Sequence, residues 1–484
     1  MNIKVISRNV GYALLVSALF MFLSILVSVA NGNDSALAAL MISFTITFTV
    51  GVFPFIFVRK SAGITLKDGY MIIALSWLLS FIFGMLPYAL WGGPFTIINA
   101  WFESVSGFTT TGSTILDNVE ALPNSLLFWR SSTHFIGGLG VVVFLLLIIP
   151  SSSQMRLRLT TLELSSLSKR EYRSGANKTV YIFTYVYFGL TAASFLLYVM
   201  AGMSPFDAIN HAMSVVATGG FSTRNASIGA YDSITIDLIT MLFMVLSSVH
   251  FGMIFVAVVT RSLKSFKNEI FKFYLSMMVV AGVIVSISIK AHGFEEAWGR
   301  SFLSGFFHVM SFASTTGFSI ADNSSWPVLS NTILVLMGVC CGMAGSTTGG
   351  IKSDRMMFLC KEVKYQLRMV LHPASVKDIR VNGRVIRQND IAPHILYIAL
   401  YGLVVIISLA ACLTLDPDNN QSFTAILSSL GNVGLSVDQL GSIYNFNGEP
   451  SSLKFIYTLD MFLGRVEIYP ILAVVMMIFS RRNK

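Results

Sequence analysis

FHVMSFASTTG, residues 307–317, closes a short amphipathic segment with threonines and a glycine, and three other stretches repeat its pattern. FESVSGFTTTG (102–112), NHAMSVVATGG (210–220) and TAILSSLGNVG (424–434) superimpose on it without gaps. In each, a serine stands six residues before the last glycine: Ser106 and Gly112, Ser214 and Gly220, Ser311 and Gly317, Ser428 and Gly434. The glycines lie 108, 97 and 117 residues apart, room for two membrane spans and the loop between them. Four such units predict four loops that meet.

Around each loop the apolar pattern is the same. Spans going outward are read at roughly 70–91, 180–201, 270–291 and 391–414, and spans returning at roughly 124–150, 233–260, 327–360 and 453–480. The segments between them, about 95–107, 205–216, 300–313 and 420–430, are too short to cross a bilayer and fit re-entrant helices. A leading apolar pair, roughly 11–30 and 36–58, has no small-residue cleavage site and reads as a retained hairpin. The expected fold is all-α and integral to a membrane: four M1–P-loop–M2 repeats around one pore plus an N-terminal two-helix hairpin, ten spans in all. The units are the hairpin at 1–62, repeat 1 at 63–155, repeat 2 at 156–265, repeat 3 at 266–375 with a broken M2 helix, and repeat 4 at 376–484.

Composition agrees with a lipid-solvated chain. It is 54% hydrophobic and 12% charged, with a mean hydropathy of +0.71, more apolar surface than a soluble core needs. The net charge of +9 does not point to nucleic acid. Most lysines and arginines cluster at Lys4–Arg8, Arg59–Lys67, Arg156–Lys178, Arg261–Lys272, Lys352–Arg387 and Arg481–Lys484. The alternate connections carry acids such as Asp34, Asp117, Glu120, Asp207, Glu295, Asp416 and Glu449. That alternation is the positive-inside pattern and places both termini in the cytoplasm. Cys340, Cys341, Cys360 and Cys412 sit in or beside apolar segments without a CxxC pattern, so they read as reduced, small apolar residues.

A bare alkali cation needs its water replaced by oxygens at matched distance, which rings of backbone carbonyls supply. Glycine opens backbone angles closed to other residues, and Thr and Ser add uncharged oxygens. The expected filter is Thr110, Thr111 and Gly112; Thr218, Gly219 and Gly220; Thr315, Thr316 and Gly317; and Asn432, Val433 and Gly434, with K⁺ as the transported ion. Short helices aiming their negative ends at the loops favour cations. The loops differ, and the fourth has lost its threonines, so weaker K⁺/Na⁺ discrimination than in a tetrameric K⁺ channel is expected.

These residues resemble the Trk/Ktr/HKT superfamily of cation transporters, and within it the bacterial Trk potassium uptake subunits. The resemblance covers essentially the whole chain. It rests on the extra hairpin, TTTGST, ATGGFST, STTGFS, GNVGLS, WRSSTHFIGGLGVVVF (129–144) and GSTTGGIKSDR (345–355). It implies K⁺ uptake across the bacterial inner membrane, a homodimer with one pore per protomer, and a cytoplasmic TrkA-like regulatory subunit that binds NAD(H) and adenine nucleotides. No cofactor is expected on this chain itself.

Two features suggest a gate. GMAGSTTGG (342–350) interrupts the third returning span, and each of its glycines weakens a helix by about 1 kcal/mol relative to Ala. A broken helix at membrane depth lines a cavity or is shielded by protein. Gly345, Ser346, Thr347, Thr348, Gly349 and Gly350 are therefore read as a loop obstructing the inner vestibule, the competing reading being a packing kink. Arg465 lies twelve residues into the last span, about 18 Å along it at 1.5 Å per residue. It is read as a charge projecting below the filter, the competing reading being an ion pair with Glu467, Asp460 or Glu103.

Weaker signals are set aside. In GSTTGGIK, Ile351 separates Gly350 from Lys352, which breaks a Walker pattern. His211 and His308 align in the short segments and read as hydrogen-bonded packing residues rather than a metal site. No nucleophile–base pair or cofactor motif indicates an enzyme. The alternative transport class is an H⁺- or Na⁺-coupled K⁺ symporter, for which Asp237, Asp460 and Glu467 are the candidate carboxylates.

Overall fold

The computed structural model describes residues 2–59, 65–140, 176–295, 297–372, 379–386, 388–417, 421–435 and 445–480. The end of the first returning span, expected to reach 150, lies outside the described residues. So do most of the basic cluster from Arg156 to Lys178 and the whole of Arg481, Arg482 and Lys484.

Helices α1 (Ile3–Ala30) and α2 (Leu37–Phe57) form the leading hairpin. Asn2 caps α1 by accepting the Val5 N–H, and Gly11 lies so close to α2 that a Cβ would stand 2.7 Å from the Gly51 carbonyl oxygen. Asp34, in the turn, accepts the hydroxyls of Ser28 (2.7 Å) and Ser125 (2.8 Å) and so ties the hairpin to the next unit. Ser17, Ser24, Ser43 and Thr47 are buried while Leu19, Phe53 and Ile56 face outward. A water-soluble bundle has the opposite distribution. Here the apolar faces meet lipid, and small polar residues let the helices pack closely.

The chain then passes four times through one order: a long helix, a short helix, a loop and a return leg. The first pass is α3 (Leu66–Gly84) continued by α4 (Leu86–Trp91), α5 (Ile97–Phe108) and α6 (Asn124–Leu139). The second is α7 (Ala176–Met200), α8 (Pro205–Ala217), α9 (Ile234–Ser248) and α10 (Phe251–Thr260). The third is α11 (Glu269–Ala291), α12 (Trp298–Ala313), α13 (Val328–Cys340) and α14 (Ser353–Leu371). The fourth is α15 (Gln388–Leu415), α16 (Ser422–Gly431), α17 (Ser451–Val466) and α18 (Ile468–Ser480).

Among the described residues, six helical stretches are long and apolar enough to cross a membrane: Ile3–Ala30, Leu37–Phe57, Lys67–Trp91, Tyr181–Met200, Glu269–Ala291 and Ile391–Leu415. These are the hairpin and the long helix of each pass. The return legs differ from the continuous spans expected at 233–260 and 453–480. α9 and α10 meet at 104°, and α17 and α18 are separated at Glu467, whose φ is +65°. α6 ends at Gly140 with φ +74°. Only the break in the third leg, after Cys340, was expected. A leg that borders a cavity or packed protein can carry such interruptions because lipid does not reach its freed backbone groups.

The all-α expectation also omits a two-stranded ladder, Arg380–Val381 with Arg384–Val385. Asn382 (φ +50°) and Gly383 (φ +75°) turn it, the two-residue Asn-Gly hairpin that needs both φ angles positive.

Candidate functional site: a ring of four loops and the loop beneath it

The four short helices end identically. In α5 the N–H of Thr110 bonds to the carbonyl of Gly107 (3.0 Å) and that of Thr111 to the carbonyl of Ser106 (2.9 Å). The same two bonds recur at Thr218 and Gly219, at Thr315 and Thr316, and at Asn432 and Val433, with acceptors Val215 and Ser214, Phe312 and Ser311, and Ser429 and Ser428. This is the Schellman arrangement, which satisfies the last carbonyls of a helix and needs a left-handed residue after its end. That residue is Thr110, Thr218, Thr315 or Asn432, with φ of +53°, +57°, +52° and +53°. Asparagine tolerates this region, so the fourth loop exchanges Thr for Asn without changing shape. A β-branched threonine there stores strain of about 1–3 kcal/mol, a cost usually found at functional sites.

The loops then close on one another. A Cβ on Gly112 would collide with the carbonyl oxygen of Gly219, and one on Gly220 with that of Thr316. One on Gly317 would collide with that of Val433, and one on Gly434 with that of Thr111. Each terminal glycine thus packs on the carbonyl preceding the next repeat's glycine, in the cyclic order one, two, three, four, one. All four glycines have φ between +77° and +84°. The twelve residues read from sequence as a filter are thereby brought together, buried or nearly so, with no charged side chain among them.

At side-chain level the ring is closer to twofold. Thr109 and Thr111 pair their hydroxyls at 2.8 Å in repeat 1, and Ser314 and Thr316 theirs at 2.7 Å in repeat 3. Repeats 2 and 4 have no hydroxyls at these places. Asn432 instead donates from Nδ2 to Thr111 Oγ1 and to the Met461 carbonyl, each at 2.9 Å.

Beneath the ring lies the segment Cys341–Lys352, buried except for a half-buried Ser346. The Gly349 N–H donates to Thr315 Oγ1 (3.1 Å), and a Cβ on Gly349 would stand 2.6 Å from Asn432 Oδ1. Thr347 Oγ1 donates to the carbonyls of Val216 and Ser247, both at 3.1 Å. The Met343 N–H bonds to the Ser248 carbonyl (2.8 Å), and the Gly345 carbonyl accepts from Phe251 (3.0 Å). Lys352 Nζ turns back on the carbonyl and hydroxyl of Thr348. Arg465 donates to the Thr347 carbonyl and, at 2.7 Å, to the Gly137 carbonyl. The segment therefore touches the ring and the return leg of repeat 2, and through Arg465, itself in the return leg of repeat 4, it is tied to that of repeat 1.

The carboxylates offered as partners of Arg465 are engaged elsewhere. Glu467 pairs with Arg355 at 3.0 Å, Glu103 with Arg130 at 2.7 Å, and Asp460 accepts the Ser408 hydroxyl at 2.7 Å. Sequence reasoning missed Arg130, although WRSSTHF was singled out, because helical spacing does not reveal which charges meet across helices. His211 and His308 are buried packing residues: Nδ1 of each lies within hydrogen-bond reach of a carbonyl in its own helix, and Nε2 within reach of Ser222 Oγ or the Ala321 carbonyl. Among the described residues no group of three His, Cys, Asp or Glu could hold a metal ion.

Comparison with known proteins adds an independent line. Over 476 residues the chain is 30% identical to the Trk system potassium uptake protein TrkH of Salmonella typhimurium, covering 98% of each. It is 31% identical to the Halomonas elongata protein of the same name, covering all of both. The crystal structure of the potassium transporter TrkH from Vibrio parahaemolyticus superimposes with a TM-score of 0.88 over 98% of each chain, at 27% identity. The family model for TrkH, described as a cation transport protein, matches residues 36–277 and 294–482, so the chain belongs to the TrkH family of cation transport proteins, not to an enzyme family.

Proposed function

We propose that the chain carries K⁺ into the cell across the bacterial inner membrane through a pore encircled by the four loops. The observation that carries this reading is the cyclic packing of Gly112, Gly220, Gly317 and Gly434 on the carbonyl oxygens of Gly219, Thr316, Val433 and Thr111. It sets uncharged oxygens around one axis at the negative ends of four helices, which favours a dehydrated cation. The names of the relatives make K⁺ the ion of choice. The full proposal is four M1–P-loop–M2 repeats and a hairpin, ten spans, with both termini in the cytoplasm. Segment 341–352 and Arg465 act as the gate, and the chain works as a homodimer under a nucleotide-binding cytoplasmic subunit.

Purified chain in liposomes tests this by its reversal potential under K⁺, Na⁺ and pH gradients. A potential set by the K⁺ gradient, with Na⁺ a weaker contributor, is the expected result. Dependence on the pH gradient would instead favour the H⁺-coupled symporter, and equal response to all cations would remove the filter.

A further inference from the structure

The position nine residues before each terminal glycine is Glu103, His211, His308 and Ala425. In repeats 2 and 3 the imidazole ties the short helix to the segment leaving its own loop. In repeat 1 a carboxylate takes that place. It accepts the Thr114 hydroxyl (3.0 and 3.1 Å) and the Ile115 N–H (3.1 Å), two and three residues beyond Gly112. Arg130, from the return leg, donates Nε to Glu103 at 2.7 Å. Glu103 is wholly buried and Arg130 is 2% exposed.

The same guanidinium reaches a second loop. Nη2 bonds to Thr114 Oγ1 and Nη1 to the Ser222 carbonyl, each at 3.3 Å. Its carbon lies 4.0 Å over the ring of Phe221, the residue that follows Gly220. Phe221 also stacks on His134 with ring centroids 4.0 Å apart, and His134 Nδ1 meets Ser214 Oγ at 3.0 Å. Repeat 4 has only alanine at the bracing position, yet its Phe446 N–H bonds to the Thr114 carbonyl at 2.8 Å. One ion pair therefore anchors the exits of repeats 1 and 2 directly and the outer segment of repeat 4 through Thr114.

We infer that the Glu103–Arg130 pair is a positioning device for K⁺/Na⁺ selectivity, holding the exits of repeats 1 and 2 so that the ring cannot contract onto the smaller ion. The inference rests on the proposed filter. A buried ion pair is seldom retained for stability alone, because desolvation cancels much of its attraction, whereas fixed geometry is a role it can fill. A filter that selects by cavity size needs carbonyls that resist collapse, and one that selects by the number of its carbonyl ligands needs the loops that supply them kept in register. Neither side chain lies in the ring, so both act through the side chains of Thr114 and Phe221 and the backbone of Ile115 and Ser222.

The test is the K⁺/Na⁺ permeability ratio from bi-ionic reversal potentials in liposomes, for the wild type, Glu103→Gln, Arg130→Lys and the double variant Glu103→Gln/Arg130→Gln. The double variant leaves no uncompensated charge and is the one expected to fold best. Each should lower the ratio several-fold, toward unity, while still passing K⁺. A wild-type ratio in folded double variant overturns the inference, even if the single variants lose thermal stability. Thr316→Val, on the opposite side of the ring, removes a hydroxyl oxygen without adding a backbone clash and separates the two readings. If it shifts the ratio while the pair variants do not, the filter stands and the positioning role fails. If neither shifts it, the filter itself is wrong.

Discussion

Arg465 and Thr347, 118 residues apart in sequence, are joined by a hydrogen bond from the guanidinium to the main-chain carbonyl. The other arm of the fork reaches the Gly137 carbonyl in the return leg of repeat 1. Arg465 thus latches the segment under the ring to two separate return legs. Hydrogen bonds from a charged donor contribute about 1.5–3 kcal/mol each, so losing one shifts a closed-to-open equilibrium roughly tenfold or more. Arg465→Ala should raise tracer Rb⁺ uptake into liposomes, and Arg465→Lys, which keeps the charge but not the fork, should raise it less. Unchanged or slower uptake by folded, inserted Arg465→Ala would count against the latch.

Thr315 links the ring to the segment beneath it through its hydroxyl. Its backbone forms the left-handed end of the third short helix, while Oγ1 accepts the Gly349 N–H. Thr315→Val keeps the branched shape and removes the acceptor. A net hydrogen bond of about 1 kcal/mol then favours the open segment roughly fivefold. Higher flux with an unaltered K⁺/Na⁺ ratio is expected. A changed ratio with unaltered flux would place the hydroxyl in ion coordination instead.

The ring was legible in the sequence because its geometry is paid for in residue types. Each loop needs a left-handed residue and a glycine two positions later, and those needs repeat at a register the eye can follow. The break in the third return leg was legible for the same reason, since four glycines cannot hide in a helix. The breaks at Val249–His250 and Glu467 were not: Gly252, Gly464 and Pro470 lie two or three residues away, but such residues are tolerated inside membrane spans, and tertiary packing decides where the chain turns. The pairing of Glu103 with Arg130 lay equally beyond reach: Glu103 was considered as a partner for Arg465, and only the crossing of α5 and α6 decides between the two arginines.

The break at Glu467 carries its own test. Its carboxylate pairs with Arg355, whose guanidinium also lies 3.8 Å over the Tyr397 ring and bonds to the Ile351 carbonyl at 3.2 Å. The contact joins the interruption of the fourth return leg to the start of α14. Arg355 is 5% exposed and Glu467 17%, between the surface and fully buried limits, so Glu467→Gln should cost about 1–3 kcal/mol. Thermal unfolding in detergent should show the loss, and Arg355→Met/Glu467→Gln should recover part of it because no charge is left without a partner. A double variant less stable than the sum of its singles would refute the pairing as the cause.

Close backbone approach predicts which glycines tolerate a methyl group. A Cβ on Gly137 would collide with the Phe108 carbonyl oxygen, and one on Gly464 with that of Leu430, each beside a short helix that ends in the ring. Neither carbonyl can move without breaking the helix end it belongs to. Gly137→Ala and Gly464→Ala should therefore fail to assemble or lose transport. Gly189 and Gly402, in α7 and α15, have nothing within 4 Å of an added Cβ. There alanine should be neutral or stabilise by about 0.5–1 kcal/mol, since it restricts the unfolded chain without meeting a neighbour. Membrane expression and unfolding temperature of the four variants give the comparison. If alanine were equally harmless at all four, the tight seating of the return legs against the ring would be wrong, and with it the support that keeps the loops in register.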